Sequence, residues 1–469
     1  MKKGLLTSYW AGVTDTENGE KYGRIFRYFL PEFITALVLY SLLYLLDAYW
    51  IADLKSTSTY ATLGITNTML HFIVKFAEGI SVGTIVLCGR YNGAKRYEDV
   101  GKTLVDSFWM TMLSGALISG ILYFGAYWIY YLYRVPVDMI ALGVPFLRMR
   151  AVGIFFMFIY FAFIGFMRGV KNTKTPMKIF ICGAVVFLFF DYILIYGKLG
   201  FPAMGLQGSA MASVLQFFVM MCLAIGTVFW GAKYQKYRIK LFSVFKSFSK
   251  IKDLMRLSWP VMLDKSTVAI AYIWMGAMIA PMGKYALATF AVVKDLERFA
   301  ILPAAAFAQV VTLLVSNDLG RKNWLGIKTN TKKIVFMGSS MVFSILLVLS
   351  LWPQFFVQFF DKKGDFMMLA VGVIPILSVL VFFDLLQLIL SGAMRGSSNV
   401  KTVMFTRLLV CGGYFMPVSY LISNIEFSSM VLKFALIYGS FYIGSAFMSA
   451  IYIKRFRGHA WKNLPEREE

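Results

Sequence analysis

The chain has 469 residues, of which 59% are hydrophobic and only 15% charged, and its mean hydropathy is +0.68. That is more apolar surface than a water-soluble core can hide, so lipid must be the solvent. The apolar runs are continuous, which excludes a transmembrane barrel with its roughly 10-residue alternating strands. The net charge of +23 raises nucleic acid as a partner, and its placement in alternate loops argues against one.

A bilayer core about 30 Å thick needs roughly 20 apolar residues per helix. Spans are expected at 28–52, 60–88, 103–132, 142–167, 177–197, 205–230, 255–282, 286–316, 332–358, 367–393, 402–423 and 428–454. The first run is already of spanning length and lacks a small-residue cleavage site, so it is expected to stay in the mature protein. The basic clusters follow even-numbered spans: Lys95, Arg96 and Lys102; Lys171, Lys174 and Lys178; a stretch from Lys233 to Lys252 that includes Lys246; Arg321, Lys322, Lys332 and Lys333; Arg395 and Lys401; Lys454, Arg455 and Arg457. Odd-numbered loops are poorer, with Lys55, Lys198, Lys284 and the Lys362-Lys363 pair; Arg134, Arg148 and Arg150 are the exception. The positive-inside rule then predicts a multi-pass cell-membrane (inner or plasma membrane) protein with both termini cytoplasmic. Cys88, Cys182, Cys222 and Cys411 lie within spans and read as buried small apolar residues.

A carboxylate at membrane depth costs on the order of 2.5 to 3.5 kcal/mol, so each needs a partner, a cavity or a job. In chain order the first is Asp47, near the outer end of span 1. His71, Lys75 and Glu78 share a face of span 2. Asp191, in span 5, lies about 20 Å beyond Lys178 at about 1.5 Å per residue, which places it at a depth similar to that of Asp47. Two close carboxylates share a proton or bind a hard cation; alternatively, each accepts hydrogen bonds from neighbouring helices and does no more. Asp264 and Lys265 open span 7, lining a cavity or snorkelling to the interface. Lys294, Asp295, Glu297 and Arg298 form a mid-depth cluster in span 8, which i,i+3 pairing would neutralise or which would form a charged cavity wall. Asp384, in span 10, has no acidic partner identifiable from spacing. Aromatic residues, 17% of the chain, would suit flat organic cations.

The chain also repeats itself. GFMRGVKNTKTPM at 165–177 and GAMRGSSNVKTVM at 392–404 superpose at an offset of 227, and Pro31 and Pro260 open spans 1 and 7 at nearly that offset. The expected architecture is an all-α membrane protein of twelve helices in two pseudo-symmetric six-helix lobes. Residues 1–230 form the N-lobe, 231–254 a cytoplasmic linker and 255–469 the C-lobe. Six is even, so the repeat is parallel, the symmetry that in transporters places the substrate path between the lobes. Enzyme chemistry has little support: the histidines are His71 and His459, and neither HExxH nor a GxxxxGK[ST] loop occurs.

DLLQLILSGAMRG (384–396), DYILIYGKLGFPAMGLQGSAMAS (191–213), MRGVKNTKTP (167–176) and YLLDAYWIADL (44–54) together resemble the multidrug and toxic compound extrusion family. The resemblance implies export of organic compounds, cationic or amphipathic, driven by inward H+ or Na+, with no cofactor. It implies cation-coupling roles for Asp47, Asp191 and Ser213, and substrate or C-lobe cation roles for Asp384 and Gln387. We group His71, Lys294, Asp295, Glu297 and Arg298 with the latter as substrate-facing candidates. Pro31 matches a proline proposed to bend span 1. Phe187 stands four residues before Asp191 where the family often has Asn, a departure from a fully oxygen-lined Na+ site. The other partners expected are the small organic substrate and the bilayer, with the protein a monomer. The alternative is a lipid-linked saccharide flippase of the same superfamily.

Overall fold

A computed structural model describes residues 5–38, 43–241, 250–361, 364–458 and 461–462. Lys246, the Lys362-Lys363 pair and His459 lie outside the described residues, as do 39–42 within the first span. The described residues are helical with no strand. A short α1 (Leu5–Val13) precedes α2 (Tyr22–Leu37) and α3 (Tyr44–Asp53), which together make the first span. Then follow α4 (Thr57–Gly93), α5 (Tyr97–Leu132), α6 (Val137–Gly169), α7 (Lys174–Tyr196) and α8 (Leu206–Trp230). The second half holds α9 (Ile251–Ile279), α10 (Lys284–Gly320), α11 (Trp324–Leu351), the short α12 (Pro353–Gln358), α13 (Met367–Gly396), α14 (Val400–Val410), α15 (Met416–Asn424) and α16 (Met430–Arg457). Cys411–Phe415 is a π-helical step that joins α14 and α15 into one span.

Ten of these spans are long and apolar enough to cross a bilayer. The first span, described as α2 and α3 on either side of 39–42, and α9, which carries Asp264 and Lys265, complete twelve. The ninth span is displaced at both ends from the expected 332–358: it runs Trp324–Leu351, and it stops at Leu351 because the residue before a proline is pushed out of helical geometry. Trp352 accordingly adopts φ −128° and ψ 52°, and Pro353 opens α12. The cysteines also divide, with Cys88 and Cys411 buried and Cys182 and Cys222 exposed. On helix faces that meet lipid, an exposed thiol carries no desolvation penalty.

Two compact units result, but not at the expected boundaries. One, here the N-lobe, is Leu30–Met262; the other, the C-lobe, is Leu263–Glu469 together with Met1–Phe29. The exchange points fall beside Pro31 and Pro260, both inside helices, where a proline removes a backbone donor and weakens the ladder. The segment after α8 is anchored: Tyr234 and Tyr237 are buried, Asn172 Nδ2 donates to Tyr234 Oη at 2.5 Å, and Trp109 Nε1 donates to the Leu241 carbonyl at 3.2 Å.

The offset of 227 is preserved in the packing. Cβ atoms added at Gly165 and Gly169 would lie 2.7 Å and 3.0 Å from the carbonyls of Ser81 and Ile85; at Gly392 and Gly396 they would lie 2.6 Å and 2.7 Å from those of Ala308 and Thr312. All four partners are related by 227, so α4 meets α6 as α10 meets α13, backbone to backbone through small residues. The loops agree. Lys95 and Lys322 share the left-handed conformation (φ 62° and 57°), as do Lys171 and Ser398 (φ 62° and 63°).

Candidate functional site

In the N-lobe, five helices bring their polar side chains together. Asp47 from α3 is buried and accepts a 2.7 Å hydrogen bond from Ser209 Oγ of α8. Asp191 from α7 is fully buried, and among the described residues neither of its carboxylate oxygens has a hydrogen-bond partner. The two acids lie within electrostatic reach of each other and of Arg150 from α6. Arg150 donates through Nη1 to Ser213 Oγ, and through Nη2 to Asn67 Oδ1 of α4 at 3.0 Å. The structure therefore gathers Asp47, Asp191 and Ser213 and adds a residue that sequence reasoning spent on a loop. Arg150 sits 13 residues into α6, about 20 Å from its start, too deep for a loop charge. Phe187 is buried one turn before Asp191.

The C-lobe arranges its charges differently. Glu297 of α10 is buried and accepts hydrogen bonds from Tyr272 Oη of α9 at 3.2 Å and from Tyr438 Oη of α16. Asp384 of α13, half-buried, accepts from Ser445 Oγ at 2.9 Å and lies within electrostatic reach of Glu297, the acidic partner that spacing had not revealed. Tyr442 packs on Tyr438 with ring centroids 5.6 Å apart, and its buried hydroxyl has no hydrogen bond among the described residues. Gln387 is buried on α13 one turn beyond Asp384. The tyrosines escaped the sequence reading because aromatic residues are so abundant that no single one stands out.

Of the two readings of the span 8 cluster, intrahelical pairing is not seen among the described residues. Glu297 turns inward to the tyrosines, Lys294 lies 5.5 Å from the Phe290 ring centroid, and Asp295 and Arg298 are exposed. Lys294 and Glu297, three apart, thus face different surroundings, while Asp295 and Arg298 share the exposed face. His71, at the position equivalent to Arg298, is likewise exposed on α4, and Lys75 pairs with Glu78 at 3.1 Å. Asp264 neither lines a polar cavity nor snorkels: it is buried between Arg395 (2.5 Å) and Arg407. Among the described residues, no three His, Cys, Asp or Glu side chains converge as a metal site.

The sequence pattern of the MatE family matches residues 33–193 and again 260–421. The chain belongs to the MATE family. The two matches begin 227 residues apart, the offset already seen in the glycine contacts. Relatives of this transporter include "Probable multidrug resistance protein YoeA" of Bacillus subtilis, 22% identical over 90% of this chain and 91% of that one. "Probable multidrug resistance protein NorM" of Thermotoga maritima is 22% identical over 76% of each. Among solved structures, an outward-facing multidrug resistance MATE transporter of the MOP superfamily is similar with TM-score 0.84 at 18% identity, covering 94% of this chain and 96% of that one. A MOP superfamily transporter from Pyrococcus furiosus has TM-score 0.85 at 19% identity, covering 95% and 98%. At such identities these likenesses show the fold.

Proposed function

We propose that this MATE transporter is a secondary antiporter of the cell membrane, both termini cytoplasmic, exporting cationic or amphipathic organic compounds in exchange for H+ or Na+. In this reading Asp47 and Asp191 bind the coupling cation, and Glu297 and Asp384, walled by Tyr272, Tyr438 and Tyr442, handle the organic cation in the C-lobe. The observation that carries the proposal is the fully buried carboxylate of Asp191 beside Asp47, which has no hydrogen-bond partner among the described residues. A buried charge with no hydrogen bond is tolerated when a mobile cation or proton visits it. Tyrosine rings over acids give cation-π and Coulomb attraction to an organic cation. The Bacillus and Thermotoga relatives are named as probable multidrug resistance proteins, which supports export of drug-like compounds.

The test is flux of a cationic dye, ethidium, in proteoliposomes under separately imposed proton and sodium gradients. Wild type accumulates dye under at least one gradient. Asp47→Asn and Asp191→Asn drop to the level of empty liposomes while eluting as monodisperse protein. Full gradient-driven flux in both variants would remove the coupling role.

A further inference from the structure

Arg150 is the fixed cation of the N-lobe cluster, and the coupling reading leaves it without a job. The charged and titratable groups facing the pocket are Asp47 from α3, Tyr130 from α5, Arg150 from α6 and Asp191 from α7; α4 and α8 add Asn67, Ser209 and Ser213. Tyr130 Oη is 2.5 Å from Thr66 Oγ1. With both acids ionised, the guanidinium cancels one of two negative charges. A single uncompensated charge remains across the two acids, and among the described residues neither oxygen of Asp191 has a hydrogen-bond partner to hold it.

Arg150 also occupies the neutral oxygens a metal ion would use. A hard cation in a dry site needs several oxygen ligands to replace its water. Ser213 Oγ and Asn67 Oδ1 both accept from the guanidinium, and Ser209 Oγ is oriented as a donor to Asp47. At the position before Asp191 where an amide would add another ligand, Phe187 presents a buried ring. A metal ion entering here would meet a fixed cation and few free ligands, whereas a proton needs one lone pair on Asp191 or Asp47 and no coordination shell.

We infer that Arg150 is a tethered cation that holds the neutral oxygen ligands of the N-lobe site, excluding Na+ and leaving room for one proton. The inference rests on the coupling role proposed for Asp47 and Asp191 and adds the residue that sets which ion they take. Arg150 acts as a specificity-determining residue through charge and through the two acceptors it engages. A lysine in its place would keep the charge.

Equilibrium binding of 22Na+ to the purified full-length protein tests this directly. Wild type should show no saturable sodium binding that depends on Asp191. Arg150→Ala and Arg150→Gln, checked for monodispersity, should gain saturable sodium binding, at least about tenfold above the wild-type level at the same sodium concentration, the effect of removing a like charge beside a buried cation. The double variant carrying Arg150→Ala and Asp191→Asn should lose it, and Arg150→Lys should stay sodium-free. Asp191-dependent sodium binding by wild type would overturn the inference, as would a failure of both neutral variants to bind more sodium than wild type. If Asp191→Asn instead retains gradient-driven ethidium flux, the coupling reading itself falls, whatever the sodium result.

Discussion

The two lobes share one backbone frame and fill it with different charges. In the N-lobe, two acids from the first and fifth spans sit with an arginine from the fourth; in the C-lobe, two acids from the eighth and tenth spans sit under tyrosines from the seventh and twelfth. Asn67, which accepts from Arg150, occupies the position equivalent to Lys294, and neither lobe reproduces the other's acids at the 227 offset. Duplication kept what lets helices approach, the glycines and left-handed loops, and released the polar positions to diverge. A repeat whose structural residues persist while its buried charges change is one in which the two halves hold different chemistry on a common frame.

The largest effect that would sharpen this comparison concerns the arginines of the matched MRG sequences. Arg168 forms a two-pronged pair with Glu32, at 2.6 and 2.8 Å, whereas Arg395 shares Asp264 with Arg407. Removing one partner of a buried pair costs about 3 to 5 kcal/mol because the other charge is left unpaired. Asp264→Ala strands two guanidiniums and should lower the thermal midpoint of the detergent-solubilised protein more than Glu32→Ala, which strands one. Equal losses would show that Arg407 finds compensation elsewhere.

Next come the glycines, where the lobes should behave alike. Gly165→Ala and Gly392→Ala each drive a methyl into a backbone carbonyl at 2.7 and 2.6 Å, which the facing helix must yield to accommodate. Overpacking of this kind costs about 1 to 3 kcal/mol. Thermal unfolding should show the two losses to be within about 1 kcal/mol of each other. A loss confined to one lobe would break the claim of a common frame.

A smaller effect separates the tyrosines. Tyr438→Phe removes a hydrogen bond to the Glu297 carboxylate, worth about 1.5 to 3 kcal/mol for a charged acceptor, whereas Tyr442→Phe removes a buried hydroxyl with no hydrogen bond and should be neutral or stabilising. Ethidium affinity in the C-lobe should weaken in the first variant and change little in the second. The reverse order would mean that Tyr442, not Tyr438, meets the ligand.

The sequence made the helices legible because spanning length and hydropathy leave little choice, and it exposed the repeat because backbone approach constrains residue size. Asp47 and Asp191 were readable as acids in apolar runs. Arg150 was not, since counting basic residues by loop hid its depth. The exchange of entry segments between units was also out of reach: it depends on where residues 1–29 and 231–262 dock, which no local pattern encodes.

That docking supplies the smallest prediction. Before each proline-bearing helix the chain is pinned to its own unit at equivalent positions: the Lys250 backbone N–H donates to Asp106 at 2.8 Å, and Lys333 Nζ donates to the Glu20 carbonyl at 3.1 Å, Asp106 and Lys333 being 227 apart. The C-lobe strap carries a surface acid of its own, Asp15, which accepts from the backbone N–H groups of Glu17 and Asn18 and from Thr329 Oγ1. These bonds, those to Asn18 first, favour the charged form and lower the Asp15 carboxyl to about 2 from an ordinary 3.8. A depressed carboxyl contributes stability that is complete above the ordinary value and is lost as pH falls from about 4 through about 2. At neutral pH, Asp15→Asn should therefore speed hydrogen exchange over residues 8–20 by a few-fold while leaving the Lys250 segment unchanged, and the difference from wild type should vanish below about pH 2. If exchange rises equally at both straps, the two entry segments are coupled and cannot be treated as separately pinned.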